Sequence, residues 1–441
     1  MLDTRGTFRS LYPSGRRTLY VRADGDDAGS GLTAAAAKRT IQAAVDICRA
    51  GDRILVGTGT YGHTQFFEKN GSATEWITLE SVPGARPVID VTKSVASWNA
   101  SKRNNGIDVQ LSSRIAIFGL EVRGDQRSVD PDPSGIAIFR GSSRIAVWGC
   151  HVHDFPGGGI NCFYAAETWI GSRRLEAGGW DSVDLFFNTI NATSRYSTFN
   201  TSGISFYGGE DLTGGTIDGR YGYRAVGNYI YDVVCTVPYR PGGFSDVTDG
   251  NGISPDSLAV PNSLNPGLRP YLKRGLIEGN VITACGGRGV HIYNSKNIDV
   301  VNNTLVGNLR TKSPYISGST EIDVQLDTPD ANNGVTIANN LLAPLHTTRV
   351  FDHVAQTITG NTALGGTDAI PRGNQSLRSI GLKAFVAIPT TPGLVGGMPL
   401  GHLAPRVVTT VQKRTGSLGY RALGISRQTG STVAVGAVLA T

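Results

Sequence analysis

The hydrophobic and polar positions of this chain repeat one pattern. A glycine is followed by an apolar residue and then by strict apolar–outward alternation. The starts are Gly106-Ile107, Gly135-Ile136, Gly159-Ile160, Gly203-Ile204, Gly252-Ile253 and Gly289-Val290, and Ile322 continues the series without its glycine. A period of two predicts strands, not helices. Several starts are followed by a second strand, as in residues 113–122, 143–152 and 296–305. That second strand has a mark of its own: Asn188, Asn228, Asn280, Asn303 and Asn340 stand at matching positions, with Leu120 and Cys150 in the same place earlier. An Asn at a tight bend can bond the Asn of the next turn through its amide, which predicts an asparagine ladder.

Spacing between the starts varies widely, which suits a solenoid whose insertions leave as loops. The expected fold is all-β: a single-stranded right-handed parallel β-helix over residues 18–365. The Ala-rich stretch at 33–50 is the one convincing helix, with Thr33 as N-cap and Gly51 as its end. It is expected to cap the N-terminal end of the solenoid. Residues 1–17 are expected to be an irregular lead-in. Beyond 365 the pattern weakens, and 366–441 is expected to be a C-terminal cap or an attachment region.

Composition narrows the picture. The chain has 441 residues with 58 Gly and only 17% charged residues, which suits turns and strands. The five Cys are sparse and lie mostly in apolar runs, so buried free thiols are expected. No run of apolar residues is long enough to span a membrane. The first residues, MLDTRGTFRSLYPSGRR, hold no apolar signal segment. A virion or cytoplasmic location is expected for the chain as written, and an extracellular one if a leader was removed. A formal charge of +6 with scattered basic residues gives no nucleic-acid footprint.

Residues 19–61, from LYVRADGDD through RTIQAAVDICRAGDRILVGTGTY, resemble the N-terminal signature of the pectate-lyase-like right-handed β-helix superfamily. EWITLESVPGARPVID (75–90) is similar to the segment that superfamily places next. The resemblance implies the architecture more strongly than the activity. The superfamily includes polysaccharide lyases, hydrolases, epimerases, phage tailspikes and catalytically silent adhesins, so fold alone does not fix function.

Candidate chemistry lies on the outward positions of the repeat. Two columns are expected on one face. One holds Asp108, Ala137, Asn161, Ser205, Ser254, His291 and Asp323; the other holds Gln110, Phe139, Phe163, Tyr207, Asp256, Tyr293 and Gln325. Tyr207, Tyr293, Asn161, Phe163 and Lys273 are the candidate substrate-binding residues of a glycan groove. In DVTDGNGISPDS (246–257), the oxygen ligands Asp246, Asp249, Asn251 and Asp256 suit Ca²⁺, though not at EF-hand spacing. A loop rich in Asx turns is the plainer alternative. His291, Arg288, Arg274 and Asp256 are the candidate catalytic residues, since a lyase acting on a uronate needs a base for the C5 proton. The expected activity is calcium-assisted β-elimination on an acidic polysaccharide. Alternatives are an inverting hydrolase, with Asp249 and Asp256 or Glu210 and Asp256 as its pair, and a non-catalytic glycan-binding tailspike or surface structural protein. A virion-borne form is expected to be a homotrimer. His151, His153 and Asp154 make a weaker candidate for Zn²⁺.

Overall fold

The protein is described by a computed structural model. It covers residues 4–91, 105–125, 132–170, 172–241, 243–259, 268–327, 333–338, 340–343, 357–359 and 362–363. The expected C-terminal region, 366–441, lies outside the described residues.

The chain winds as a parallel solenoid with three sheets of eleven, eight and ten strands among the described residues. The eight-stranded sheet runs from Thr64–Phe67 through Ile107–Gln110, Ile136–Phe139, Ile160–Phe163, Ile204–Tyr207, Ile253–Asp256 and Val290–Tyr293 to Ile322–Gln325. Every repeat start found in the sequence opens one of these strands. Their registers align the starts directly, with Ile107 beside Ile136, Ile136 beside Ile160 and Ile253 beside Val290. The inward residues are closed from water: Ile107, Ile136, Ile160, Ile204, Ile253, Val290 and Ile322 are all 0% exposed. Their burial drives the winding, because no single coil encloses its own apolar side. The glycine that opens each strand has a steric cause. A Cβ at Gly135 would lie 2.0 Å from Val152 Cγ1 and 2.8 Å from the Gly159 carbonyl of the next coil.

The asparagine ladder is present. Nδ2 of Asn188 donates to Oδ1 of Asn228 (3.1 Å), Asn228 to Asn280 (2.9 Å), Asn280 to Asn303 (2.9 Å) and Asn303 to Asn340 (2.9 Å). Each backbone N–H on the way bonds the same oxygen. Cys150 does occupy the ladder position one coil earlier, since its N–H donates to Asn188 Oδ1. A left-handed residue precedes the rungs at Asn188, Asn228, Asn280 and Asn303, Gly227 at φ 66° for example, and turns the chain from the eleven-stranded to the ten-stranded sheet.

Two expectations about the N-terminal end need correction. The lead-in is not wholly irregular: α1, Thr4–Leu11, is a helix. A helix this short is marginal alone. Here Phe8 and Tyr12 are buried against Phe118 and Trp148 on the outside of the eleven-stranded sheet, with Phe8 and Phe118 centroids 4.8 Å apart. Arg5 and Arg9 both reach the buried Glu80 carboxylate. The 33–50 helix is also shorter than expected. It becomes a 3-10 turn, Ala34–Ala36, and α2, Ile41–Ile47, each capped by a threonine, Thr33 and Thr40. Between them Lys38 is extended and pairs with the first strand: its N–H donates to Tyr20 O, and its carbonyl accepts from Arg22 N. Edge pairing has overridden the helix propensity of the alanines. The capping role survives in α2, whose Ile41, Ala44 and Val45 join the core beside Leu19 and Val21.

All five cysteines are buried and free. Among the described residues no helix is long and apolar enough to cross a membrane.

Candidate active site

The outward columns of the eight-stranded sheet follow the sequence pattern. Tyr207 is paired with Asp256, and Asp256 with Tyr293, on one column. His291 is paired with Asp323 on the other. Strand alternation thus points Asp256, Tyr293, His291 and Asp323 to the same side. The face is not open there. His291 is 6% exposed and Asp323 8% exposed. The described residues of 234–252 and 307–321, which lead into strands Ile253–Asp256 and Ile322–Gln325, are tied to that edge by Arg288 through the Thr248 and Tyr315 carbonyls. They are held to each other by Ser313 Oγ, which donates to Val247 O, and by contacts among Val247, Leu309 and Ile316.

His291 is the centre of the site. Its Nδ1 lies 3.3 Å from Asp249 Oδ1 and 3.4 Å from Asn251 Nδ2. Asn251 Nδ2 also donates to Asp249 Oδ1 at 2.7 Å, and Thr248 Oγ1 donates to Asp249 Oδ2. Asp249 therefore holds the imidazole from one side. The opposite atom, Nε2, is buried and has no hydrogen-bond partner among the described residues. A buried polar atom without a partner is uncommon and calls for a reason. In the tautomer with its proton on Nδ1, Nε2 carries the lone pair of a general base.

The neighbouring carboxyls are pushed in opposite directions. Burial, aided by the charge of Asp249, raises the Asp256 carboxyl to about 6, against a hydrogen bond from Ser257. Burial would also raise Asp249, but the His291 hydrogen bond and the charges of His291 and Arg288 outweigh it and hold it below the usual range. Asp323 is likewise lowered. Its burial is outweighed by the charges of His291 and Arg288 and by bonds from Ser319 and Arg288. A raised and a lowered carboxyl in one site are the conditions for an acid and a base.

Three basic candidates are corrected. Arg288 is not a free base. Its Nε donates to Ser319 (2.8 Å) and Asp323 (3.1 Å), and its terminal nitrogens donate to Thr248 O (2.7 Å) and Tyr315 O (2.6 Å). A guanidinium stays charged, and this one ties both overhanging loops to the sheet. Arg274 lies beside the eleven-stranded sheet, in a two-point pair with Asp299. Lys273, next to it, is 10% exposed and bonded to Asp181 and Asp211. The chain leaves the eight-stranded face after Asp256, so nearness in sequence does not bring these two cations to it.

The other candidates fall in three places. Tyr207 and Tyr293 flank Asp256, and the Tyr293 hydroxyl donates to Asp327 at 3.1 Å. Asn161 lies further along the face, bonded to Ser134, with its Oδ1 buried and unpartnered. Phe163 stacks on Phe139 with centroids 4.8 Å apart and planes 13° apart. The calcium set is not assembled as read. Asp249 and Asn251 touch, but Asp246 bonds Ser245 and Asp256 bonds Ser257. Among the described residues no three His, Cys, Asp or Glu side chains are grouped to hold a metal ion. The same holds for His151 and His153, which stack on each other while Asp154 and Glu121 bond His153.

Sequence reasoning missed Tyr239, Tyr315 and Ser319. Burial raises the Tyr239 phenol, and the next causes are the charges of Asp256, Tyr207, Asp249 and Tyr293. These residues lie on loops without periodicity, so no pattern marks them.

No family model and no curated protein sequence matches the chain. Solved structures do. A crystal structure of pectate lyase Pel9A aligns over 98% of this chain and 98% of its own, with TM-score 0.58 and 15% identity. A rhamnogalacturonan lyase covers 80% of this chain and 75% of its own at TM-score 0.46 and 16% identity. An alginate lyase from Paenibacillus sp. str. FPU-7 covers 82% and 98% at TM-score 0.44 and 17% identity. At these identities the likeness is one of architecture. The chain has a right-handed parallel β-helix fold, similar in architecture to pectate lyase Pel9A.

Proposed function

We propose that this protein cleaves a polysaccharide laid along the eight-stranded face, by β-elimination at a uronate, with His291 as base and Asp256 as acid. The observation that carries the reading is His291 itself, held through Nδ1 by Asp249 while Nε2 has no partner. Elimination needs a base for the proton beside the carboxylate and an acid for the departing oxygen. Nε2 takes the C5 proton, and that electron pair forms the C4–C5 double bond. The C4–O bond breaks, and the leaving oxygen takes the proton of Asp256. An acid raised to about 6 by burial keeps its proton in mildly acidic solution. Tyr207 and Tyr293, on either side of Asp256, offer ring faces to the sugar. The likeness to a pectate lyase in architecture supports the same direction. Among the described residues no ligand set for calcium is assembled.

One observation favours a second reading. Asp256 is raised and Asp249 lowered, the split that suits the acid and base of an inverting hydrolase. The test is a panel of acidic and neutral polysaccharides, with Ca²⁺ and with EDTA. Unsaturated-uronate absorbance and reducing ends are followed together. Elimination predicts that both rise. Reducing ends without absorbance would move the mechanism to hydrolysis. Silence on every acidic polysaccharide, with and without Ca²⁺, would overturn the elimination reading.

A further inference from the structure

Beside the acid–base pair the last described coil of the face holds a hollow of about 450 Å³. It is lined by Arg288, Tyr315, Ser319, Asp323 and Gln325 among others. This volume falls in the usual range of small-ligand sites, roughly 300–1,000 Å³. Its floor continues the face: Asp323 follows His291, and Gln325 follows Tyr293, each in register. Its wall is aromatic. The Tyr315 ring is 42% exposed and meets Phe244, 37% exposed, edge-on at 5.2 Å. Phe244 in turn meets Tyr239 at 5.5 Å. Two loops with exposed rings therefore converge at one edge of a polar floor. Folding alone does not call for that exposure, since these rings leave apolar area in water.

The charge of the hollow is informative. Its lining cation, Arg288, is already bonded to Ser319, Asp323, Thr248 O and Tyr315 O. Asp323 is engaged through Oδ2 with Arg288 and Ser319. A carboxylate entering here would meet Asp323 with its counter-charge in use, and Asp327 lies on the neighbouring turn. A uronate is disfavoured on that ground. A neutral sugar is not, because its hydroxyls can donate to Asp323 and pair with the Gln325 amide while a C–H face lies on Tyr315.

We infer that this hollow is a binding subsite for an uncharged pyranose, with Tyr315 as its aromatic wall, backed by Phe244, and Asp323 and Gln325 as its polar floor. The inference rests on the proposed glycan-cleaving reading and refines it. The unit on the Asp323 side of the scissile bond is neutral, so the substrate is a mixed polysaccharide and not a pure polyuronate.

The test is calorimetric binding to the full chain. The probes are neutral oligosaccharides of glucose, galactose, mannose and xylose, with oligogalacturonate alongside, and His291→Ala is used where turnover interferes. A neutral oligosaccharide is expected to bind. Tyr315→Ala should weaken it about fivefold to tenfold, the size of a lost aromatic contact, while Tyr315→Phe binds as wild type does. Gln325→Ala, at an exposed strand position, gives an independent loss should Tyr315→Ala fail to fold. Three results would overturn the inference: none of the neutral probes binds, oligogalacturonate binds as well with the same Tyr315 dependence, or both alanine variants bind unchanged. Tyr315-dependent binding of a neutral probe without cleavage of any polysaccharide would sink the catalytic reading and leave the subsite standing.

Discussion

The outer faces of the eleven- and eight-stranded sheets are built on the same strand pattern, yet their polar side chains are used differently. On the eleven-stranded face many of the charges are paired. Arg224 grips Asp184 through two nitrogens, Tyr12 donates to the same carboxylate, Arg274 pairs with Asp299, and Arg53 with Glu80. α1 then covers part of that face with Phe8 and Tyr12. On the eight-stranded face, His291 Nε2 and Asn161 Oδ1 are buried without partners among the described residues, and burial raises the Asp256 carboxyl to about 6. Satisfied polar networks hold a fold in one arrangement, whereas unsatisfied ones cost stability. Under the proposed function, the contrast gives stability to one face and chemistry to the other.

The largest break in that contrast is expected from His291→Ala. Removal of a positioned base should lower turnover by about a hundredfold to ten-thousandfold. The melting temperature should stay near that of wild type, because the two carboxylates that face the ring keep other bonds, Asp249 from Asn251 and Thr248 and Asp323 from Arg288 and Ser319. Steady-state kinetics beside a thermal melt check both halves.

The mirror experiment is Asp184→Ala. It leaves the Arg224 guanidinium and the Tyr12 hydroxyl without their shared acceptor in a nearly buried place. Breaking such a pair is expected to cost about 3 kcal/mol. Denaturant titration should show the loss, while kcat and KM of the folded fraction stay unchanged. A matching fall in turnover would blur the division between the faces.

Asp256→Asn sharpens the comparison within one residue. Burial raises this carboxyl, so its proton-bound form is favoured by folding. Its contribution to stability is present at low pH and is lost as pH rises from the ordinary Asp range through about 6. Asn cannot ionise. The variant should therefore be more stable than wild type above about 6 and less active below it, with the gap in activity closing as wild type loses its own proton. Melting and rate profiles over the same pH range test this. A variant that is less stable at every pH would contradict the burial argument.

The fold was legible because its cause is periodic. Gly135-Ile136 and its counterparts announce where each strand begins, and Asn188 through Asn340 announce the corner that follows. The outward columns came from the same period, which is why Asp256, His291 and Tyr293 were placed together correctly. What surrounds them came from loops, where no period exists. Tyr239 and Tyr315 reach the face along insertions whose path depends on Ser313, Val247 and Ile316 packing at a distance. Lys273 and Arg274 misled by nearness in sequence, since the chain had already crossed to another sheet. α1 was missed because its helix depends on burial of Phe8, not on its own length.

The most direct measurement is the formation of unsaturated product from acidic polysaccharides by wild type and His291→Ala, compared at equal folded concentration. The account predicts product from wild type and a loss of about a thousandfold in the variant, with both proteins melting alike. Full activity in His291→Ala would contradict it, because the unpartnered Nε2 on the eight-stranded face would then have no part in the reaction.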